Sequence, residues 1–212
     1  REIACIDGDV AYTGGVNIAD EYANLIERFG YWKDSGVCLE GEGAWGLTAS
    51  FIRMCVNLGG VMHNEHDYYR PHTPVKSEGF CQPFTDGPQN NPDNPAEDVF
   101  LQMISGARRF LYITTPYFIP DESLMRALCI AGDGGVDVRL MLPGKPDHWY
   151  ADCVAESYFG ELIKHGVKVY RYTPGFLHGK SIMVDREAAF VGSANMDYRS
   201  FELDYECGVM VY

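Results

Sequence analysis

The most restrictive feature of this sequence is an internal repeat that relates its beginning to its end. Residues 1–22 align without a gap with residues 179–200, and apolar residues fall opposite apolar residues between the matched positions. The chemically specific matches are Asp7 with Asp185, Ala11 with Ala189, Gly14 with Gly192 and Asn17 with Asn195. Repetition at a long period indicates that one structural unit recurs along a chain. The sequence therefore predicts a molecule built from two related halves.

The second copy of the repeat belongs to a segment, residues 176–198, that carries many polar residues at fixed spacing. Residues 180–184 are typical of a buried strand and residues 188–191 of its partner, which predicts a hairpin. Side chains alternate between the two faces of a strand, so His178 and Lys180, two positions apart, are expected on one face. This arrangement pairs a titratable nucleophile with a fixed cation.

Two further polar residues follow the second strand of this predicted hairpin. Ser193 and Asn195 are also two positions apart, so a hydroxyl and an amide are expected to converge on one place. An imidazole, an ammonium, a hydroxyl and an amide together suit a tetrahedral anion. The predicted substrate is a phosphate ester, attacked by His178 and bound by Lys180, with no metal or other cofactor.

The repeat also predicts a matching half-site at the start of the sequence. Its positions pair as Gly15 with Ser193, Asn17 with Asn195 and Glu2 with Lys180. Gly15 and Asn17 are therefore predicted to contribute to phosphate binding. Glu2 places an acid where the second copy has a base, and the counterpart of His178 would fall one position before Arg1. The first half-site is expected to be incomplete within these residues.

Composition restricts the class of protein and its partners. The 212 residues are 46% hydrophobic and 22% charged, as in a folded globular protein. The formal net charge of -13 argues against binding nucleic acid through a basic surface. There is no apolar run of about 18 residues, so no membrane span is expected. The seven cysteines form no C-x-x-C pair and predict free thiols in a reducing, cytosolic-side location.

Hydrophobic periodicity predicts a layered α/β fold with a boundary between residues 79 and 80. Residues 59–79, rich in Gly, Pro, His and Tyr, are predicted to be a linker, and its histidines fit no zinc spacing. Helices are predicted over residues 19–29, 43–58, 95–108, 121–130 and 150–164. Strands are predicted over residues 37–39, 81–84, 110–114, 136–142, 167–172 and 201–212. Asn94 is predicted to cap the third of these helices.

The pattern H-x-K-x4-D-x6-G-S-x-N at residues 178–195 resembles the hallmark of the phospholipase D superfamily, which uses two such motifs, one per half. The stretches GGVNIADEY, RFGYWKDSGVCLEGEGAW, TPYFIPDESLMRAL, VDVRLMLPGKPDH, YTPGFLHGKSIMVD and GSANMDYRSFELDYE are more narrowly similar to bacterial-type cardiolipin synthases. The resemblance covers essentially the whole sequence. It implies a phospholipase D-like α-β-α sandwich with a mixed sheet, here part of the first half (1–79) and a nearly complete second half (80–212).

The resemblance also implies an activity and a location. A protein of this kind joins two phosphatidylglycerols into cardiolipin and glycerol through a phosphatidyl-histidine intermediate. It implies that the protein acts at the cytosolic side of a bacterial cell membrane. It also implies hydrophobic N-terminal segments and a C-terminal tail outside these residues. Phosphatidylglycerol and the membrane surface are the implied partners, with no nucleic acid, and the oligomeric state is left open.

Individual residues receive roles by the same resemblance. His178 and Lys180 are expected to be catalytic, and Glu206 is expected to hydrogen-bond the catalytic histidine and fix its tautomer. Asp185 belongs to the same motif and, since it follows a short strand, is expected to brace the hairpin. Which histidine of the two motifs attacks phosphorus stays open.

Three positions depart from the family pattern: Glu2 in place of a lysine, and Asp204 and Tyr205 in place of Asn and Phe. We therefore expect the 212 residues to be inactive alone. Two alternatives stay open. A phospholipase D-type hydrolase would share the site and use water as acceptor, and a non-catalytic lipid-binding protein would have a degenerate first half-site.

Overall fold

The computed structural model describes residues 2–62, 69–88 and 94–212. The strands are β1 (Ile3–Ile6), β2 (Val10–Gly14), β3 (Tyr31–Lys33), β4 (Gly36–Glu40), β5 (Cys81–Thr85), β6 (Phe110–Thr114), β7 (Phe118–Ile119), β8 (Asp137–Pro143), β9 (Lys168–Tyr172), β10 (Gly175–Leu177), β11 (Ser181–Val184), β12 (Ala188–Gly192), β13 (Met196–Asp197) and β14 (Cys207–Val211). The helices are α1 (Glu42–Asn57), α2 (Pro95–Gly106), α3 (Glu122–Asp133), α4 (Trp149–Lys164) and α5 (Tyr198–Glu202).

The centre of the fold is a seven-stranded mixed sheet in the order β5-β14-β12-β11-β6-β8-β9. β6, β8 and β9 run parallel, and the remaining neighbours are antiparallel. Successive residues of β14 face opposite sides of the sheet. Met210 packs into the larger core, which includes residues of α2, α3 and α4, and Val209 packs into a second core with Ala44 and Leu47 of α1. Helices therefore cover both faces, as predicted for a layered α/β fold.

The predicted repeat is present in the structure as two hairpins of the same geometry. In the β1–β2 hairpin, Ile3 pairs with Thr13. In the β11–β12 hairpin, their counterparts in the repeat, Ser181 and Val191, pair in the same way. The turns also match, since Asp7 has φ 53° and Asp185 φ 55°, each followed by a second residue with positive φ. Positive φ at both central residues is what a type I′ turn requires. The alignment of residues 1–22 with 179–200 is thus a structural repeat.

Most of the predicted elements are present within a few residues of their expected ends, but the predicted helix over residues 19–29 is wrong. This segment consists of turns, and Asn24 has φ 56°. Its side chain donates to the carbonyl oxygen of Trp32 at 3.1 Å and accepts from the backbone N–H of Trp32 at 2.6 Å. The amide side chain thereby replaces the backbone bonds of a helix with a link to β3.

Two local predictions in the second half are also wrong. Residues 201–212 are not one strand, because α5 extends to Glu202 and β14 begins only at Cys207. Asn94 precedes α2 but does not cap it with its side chain, which donates to Glu202 Oε1 at 2.7 Å. The Asn94 side chain is drawn into a contact with a distant segment, which local propensity does not include. α5 begins at a local cap, because the Asp197 side chain accepts from the backbone N–H of Ser200 at 2.8 Å.

Two sequence-based expectations concern segments between these elements. The proposed boundary between residues 79 and 80 stays a prediction, with β5 beginning directly after it at Cys81. His63 and His66 lie outside the described residues. Within the described ranges, no helix has both the length and the apolar character needed to cross a lipid bilayer.

Asp185 joins the β11–β12 hairpin to the start of β6. Its carboxylate accepts backbone N–H bonds from Arg108 (2.7 Å), Arg109 (2.8 Å) and Phe110 (2.7 Å). Burial would raise the pKa of Asp185, but these three donors outweigh burial and lower the pKa below its ordinary value. The charged carboxylate therefore stabilises the folded state.

Replacing Asp185 by asparagine is expected to destabilise the protein by about 2–3 kcal/mol, since the charge and one of three bonds are lost. Because the pKa of Asp185 is lower in the folded state, its contribution is present above the pKa of the unfolded chain and is lost as the pH falls through the folded value. Urea unfolding of both proteins should therefore differ at neutral pH and converge in acid.

Asp7→Asn provides the matched control, because Asp7 occupies the same turn position in the first hairpin and is exposed. We expect this substitution to change the free energy of unfolding by less than about 0.5 kcal/mol. Equal effects of the two substitutions would contradict the assigned role of Asp185.

Candidate active site

The site is assembled by a short parallel pairing between the first and second halves. β10 lies beside β3, with Phe176 in register with Trp32 and Leu177 with Lys33. The backbone N–H of His178 continues this pairing by donating to the carbonyl oxygen of Lys33 at 2.7 Å. Residues after β3 and residues after β10 therefore meet at one place.

This pairing brings Asp34 against the predicted nucleophile. Asp34 Oδ2 lies 2.8 Å from His178 Nδ1, and both side chains are buried. Burial lowers the pKa of His178, as does the charge of Lys180, whereas Asp34 opposes both effects. Burial alone would raise the pKa of Asp34, but the bond to His178 and the charge of Lys180 lower it. An ionised Asp34 thus accepts from Nδ1–H and leaves Nε2 with the lone pair.

Lys180 lies directly against the same imidazole. Its Nζ is 2.7 Å from His178 Nδ1 and 3.0 Å from Nε2, and it donates to the His178 carbonyl oxygen at 2.7 Å. Lys180 is 3% exposed, and burial lowers its pKa to about 8, although the carboxylates of Asp34 and Glu2 oppose this shift. The predicted pairing of a nucleophile with a cation is present.

Gly15, predicted to bind phosphate, fits closely against this cation. A Cβ atom at this position would lie 2.8 Å from Lys180 Nζ and 2.5 Å from Asp34 Oδ1. The serine found at the matching position of the second copy would therefore displace one of these groups. The glycine leaves room for the lysine that the second half inserts at this point.

The low pKa of Lys180 predicts a pH limit for any reaction of an anionic substrate at this site. The ammonium form would attract an anionic substrate, so kcat/KM is expected to fall as the pH rises through about 8, where the free protein would lose this charge. The profile of kcat/KM between about pH 6 and 10 measures this effect. A Lys180→Met variant should have low activity, and its kcat/KM should not fall further at alkaline pH. A kcat/KM of the parent that stays constant over this pH range would contradict the assignment of this pKa to Lys180.

Aromatic rings from both halves enclose the imidazole. The ring centroids of Tyr22 and Trp32 lie 5.1 Å and 5.2 Å from that of His178, and Phe176 is stacked at 5.9 Å. Asn17, predicted to bind phosphate, is exposed and donates to the Tyr22 hydroxyl at 2.9 Å. Asn17 therefore lies at the mouth of the site, joined to His178 through Tyr22.

The remaining predicted phosphate ligands, Ser193 and Asn195, follow the second strand of the β11–β12 hairpin. The Ser193 hydroxyl donates to Glu206 Oε2, and the Ser200 hydroxyl donates to Glu206 Oε1 at 2.6 Å. Burial raises the pKa of Glu206 against the effect of these two hydroxyls. Asn195 donates its backbone N–H to Ser200 Oγ at 3.0 Å, and its side-chain Oδ1 is buried without a partner among the described residues.

Glu206 was predicted to hydrogen-bond the catalytic histidine, but at His178 this bond is made by Asp34, which sequence reasoning missed. The strand register shows why the two acids correspond, since Gly14 pairs with Gly36 and Gly192 with Gly208. Asp34 and Glu206 each lie two positions before the second glycine of their pair. The bonds of Gly15 N–H to Ser35 O (3.1 Å) and Ser193 N–H to Cys207 O (2.9 Å) also match. Extending the repeat across a gap could have found Asp34.

Two other acidic residues of the repeat, Asp185 and Glu2, lie at different distances from the site. Asp185 lies at the opposite end of β11 from Lys180, where it binds the backbone of residues 108–110. Glu2 lies close enough to raise the pKa of both Lys180 and Glu206, and its Oε2 is buried without a partner among the described residues. The structure thus groups His178, Lys180, Asp34, Gly15 and Glu2, and leaves Asp185 apart.

Comparison with known proteins is consistent with this geometry. The chain matches the family model described as "Cardiolipin synthase, PLD-like domain" over residues 100–212. Cardiolipin synthase of Listeria welshimeri is 40% identical over 215 residues, which cover 100% of this chain and 44% of that protein. The chain therefore spans less than half the length of such curated relatives.

Solved structures support the fold. Phosphatidylserine synthase from Haemophilus influenzae superposes with a TM-score of 0.69 and 16% identity over 100% of this chain and 57% of that one. Nuc from Salmonella typhimurium, a phospholipase D family member, gives a TM-score of 0.52 and 21% identity over 64% of this chain and 84% of that one. With the family match over more than half of its length, the chain belongs to the PLD-like domain family of cardiolipin synthases.

Proposed function

We propose that this chain forms part of a phosphatidyltransferase that makes cardiolipin and glycerol from two phosphatidylglycerols through a phosphohistidine intermediate. The observation that carries the proposal is the buried imidazole of His178, bonded at Nδ1 by Asp34 and flanked by Lys180. A histidine fixed in this tautomer presents the Nε2 lone pair as a nucleophile, and the adjacent cation attracts the phosphate. The cardiolipin synthase relatives support the choice of a phospholipid substrate.

The reaction proceeds in two displacements at phosphorus. In the first, His178 Nε2 forms a bond to phosphorus, and the bond from phosphorus to the glycerol head group breaks as a second, general-acid group protonates that oxygen. In the second, a hydroxyl of another phosphatidylglycerol gives its proton to the same group, now a base, and bonds to phosphorus as the bond to the imidazole breaks. Lys180 offsets the negative charge on the phosphoryl oxygens in both transition states, a contribution of several kcal/mol in sites of this type.

The membrane surface is the second proposed partner, because the segments that flank the site along the chain carry exposed apolar side chains. Ile18 is fully exposed close to Asn17, Leu25 is 75% exposed in the same loop, and Trp149 and Tyr150 are exposed beside the loop that follows β8. Aromatic side chains with polar tips favour the interface between lipid head groups and water. A rim of this kind suits a substrate that remains in a bilayer of a bacterial cell membrane.

The described residues of the first half contribute Glu2 where the second half has Lys180. A carboxylate beside Glu206 and Lys180 reduces the positive potential that a phosphodiester requires. We therefore propose that residues 1–212 lack transferase activity by themselves. Phosphatidyl transfer by this isolated piece would contradict the proposal.

The test uses the protein with its natural termini, incubated with phosphatidylglycerol vesicles, and follows products by mass spectrometry. Cardiolipin and glycerol in equal amounts are expected. Phosphatidic acid without cardiolipin would instead identify a hydrolase that uses water as acceptor. Binding to the vesicles without any product would identify a non-catalytic lipid-binding protein, and Glu2→Lys would then show whether the acid has inactivated the first half-site.

A further inference from the structure

A second polar cluster lies in the loop between β8 and α4 and is not used in the mechanism above. The Tyr117 hydroxyl donates to Asp147 Oδ2 at 2.6 Å, and His148 Nδ1 lies 2.9 Å from the same oxygen. Burial and the charge of Asp147 raise the pKa of Tyr117, so this hydroxyl remains a hydrogen-bond donor. One carboxylate therefore fixes both an aromatic hydroxyl and an imidazole.

This cluster opens onto the candidate active site. Tyr117 directly precedes Phe118, which is in register with Met196, so Tyr117 and Asn195 are neighbours at the start of β7 and β13. The carboxylate of Asp147 is also close enough to raise the pKa of His178. The loop that follows β8 therefore lies at the rim of the candidate site.

The imidazole of His148 has no evident structural task. His148 occupies the N-cap position of α4, but its side chain makes no capping bond, and it is half exposed. Its Nδ1 is engaged by Asp147 and lies 3.4 Å from the Tyr117 hydroxyl. No described residue is bonded to Nε2. This imidazole is oriented by a carboxylate, as His178 is by Asp34, and it presents its other nitrogen to the solvent.

The charges of the two sides of the site differ in a way that suggests what each side binds. Lys180 supplies a cation beside His178, which suits a phosphodiester. Asp147, whose side chain is 13% exposed, supplies an anion beside His148, which would repel phosphate and suits neutral hydroxyl groups. A head group with several hydroxyls can bond to an imidazole nitrogen and to a carboxylate together.

We propose that His148 determines acceptor specificity by binding a free hydroxyl of the acceptor head group through Nε2. The ligand class is a polyol alcohol, of which a glycerol head group is one example. This role deepens the transferase proposed above and depends on it. Asp147 and Tyr117 act as positioning residues that hold the imidazole, and the acceptor selected in this way attacks the phosphorus bound to His178.

The test is a competition between two acceptors in the protein with its natural termini. Phosphatidylglycerol vesicles receive deuterated glycerol and 1-propanol at equal concentrations, and mass spectrometry measures labelled phosphatidylglycerol against phosphatidylpropanol. His148→Phe retains an aromatic ring and removes the hydrogen bond. We expect the ratio of labelled phosphatidylglycerol to phosphatidylpropanol to fall about tenfold, because 1-propanol lacks the further hydroxyl that the imidazole would bind.

Two further variants separate this role from a structural one. His148→Gln keeps a hydrogen-bonding group and should restore much of the preference for glycerol. His165→Phe is the matched control, since His165 is also held by an aspartate, with Nδ1 2.8 Å from Asp133, but lies at the opposite end of α4. An unchanged ratio in His148→Phe, or an equal loss of both products, would overturn the proposal.

A binding measurement distinguishes failure of this inference from failure of the proposed reaction. Soluble glycerophosphoglycerol, which carries the head group without acyl chains, is titrated into protein with nitrogen-15-labelled histidine. The Nε2 resonance that is lost in His148→Phe should shift, and that of His165 should not. Absence of this shift would overturn the inference, whereas a shift without turnover would leave hydroxyl binding intact and reject only the transferase.

Discussion

In the protein with its natural termini, replacing His178 by alanine is expected to reduce phosphatidyl transfer by at least about 10³-fold, because the attacking nitrogen is removed. No other imidazole in the described residues combines burial with a carboxylate at Nδ1 and a lysine at its ring edge. The comparison of initial rates of cardiolipin formation measures the effect. Parent protein denatured rapidly at neutral to mildly alkaline pH, where a phosphohistidine bond survives, should in addition carry a phosphatidyl group on the peptide that contains residue 178, and the variant should carry none.

His165→Ala is the matched control for this substitution. His165 is bonded by Asp133 and Glu161 on an exposed part of the fold, and its removal should leave the rate within about twofold of the parent. Circular dichroism and thermal unfolding establish that both variants are folded. Activity of His178→Ala within about tenfold of the parent would exclude this histidine as the nucleophile.

Replacing Asp34 by asparagine is expected to lower kcat by about 10²- to 10⁴-fold while leaving the fold intact. The amide has nearly the same shape, but it no longer stabilises Nδ1–H, so the imidazole loses the tautomer that exposes the Nε2 lone pair. Asp34 also opposes the lowering of the His178 pKa by burial. The acidic limb of the pH–rate profile should therefore move to lower pH in the variant.

The rate and its pH profile test this role together, since a merely structural residue would not move the acidic limb. Asp137→Asn serves as the control. Asp137 pairs with Arg139 and Lys168 at the start of β8, whereas the loop that carries Asp147 follows the last residue of this strand. This control should retain the parent's kcat. An Asp34→Asn protein with parental kcat and an unchanged profile would show that His178 does not need this acid.

The repeat explains why so much of the second half-site could be predicted from the sequence. A hairpin is encoded locally, so the spacing of residues 178–195 determines which side chains can meet, and the structure has the predicted strands. Asp34 was not predicted because the connection from β2 to β4 is longer than the connection from β12 to β14. A gapless alignment ends before it reaches the acid, although the strand registers on either side agree.

The wrong helix over residues 19–29 has a related cause. Its apolar spacing is compatible with a helix, but Asn24 forms two bonds to the backbone of Trp32 and thereby holds β3 against the loop. These bonds place Trp32 and Asp34 beside His178. Local propensity was overridden at the point where the first half has to contact the second, and a pattern of hydrophobic residues carries no information about that contact.

The bond between Asp34 and His178 joins positions that are 144 residues apart along the chain. Contacts of such long range are formed late in folding, because closing so large a loop costs entropy before the contact can repay it. The second hairpin, which needs only neighbouring residues, can form much earlier. A newly made chain would therefore pass through a stage in which His178 and Lys180 are already adjacent while the imidazole has not yet been oriented. Under the proposed function, the chain would then become able to act on phospholipid only at the last step of folding.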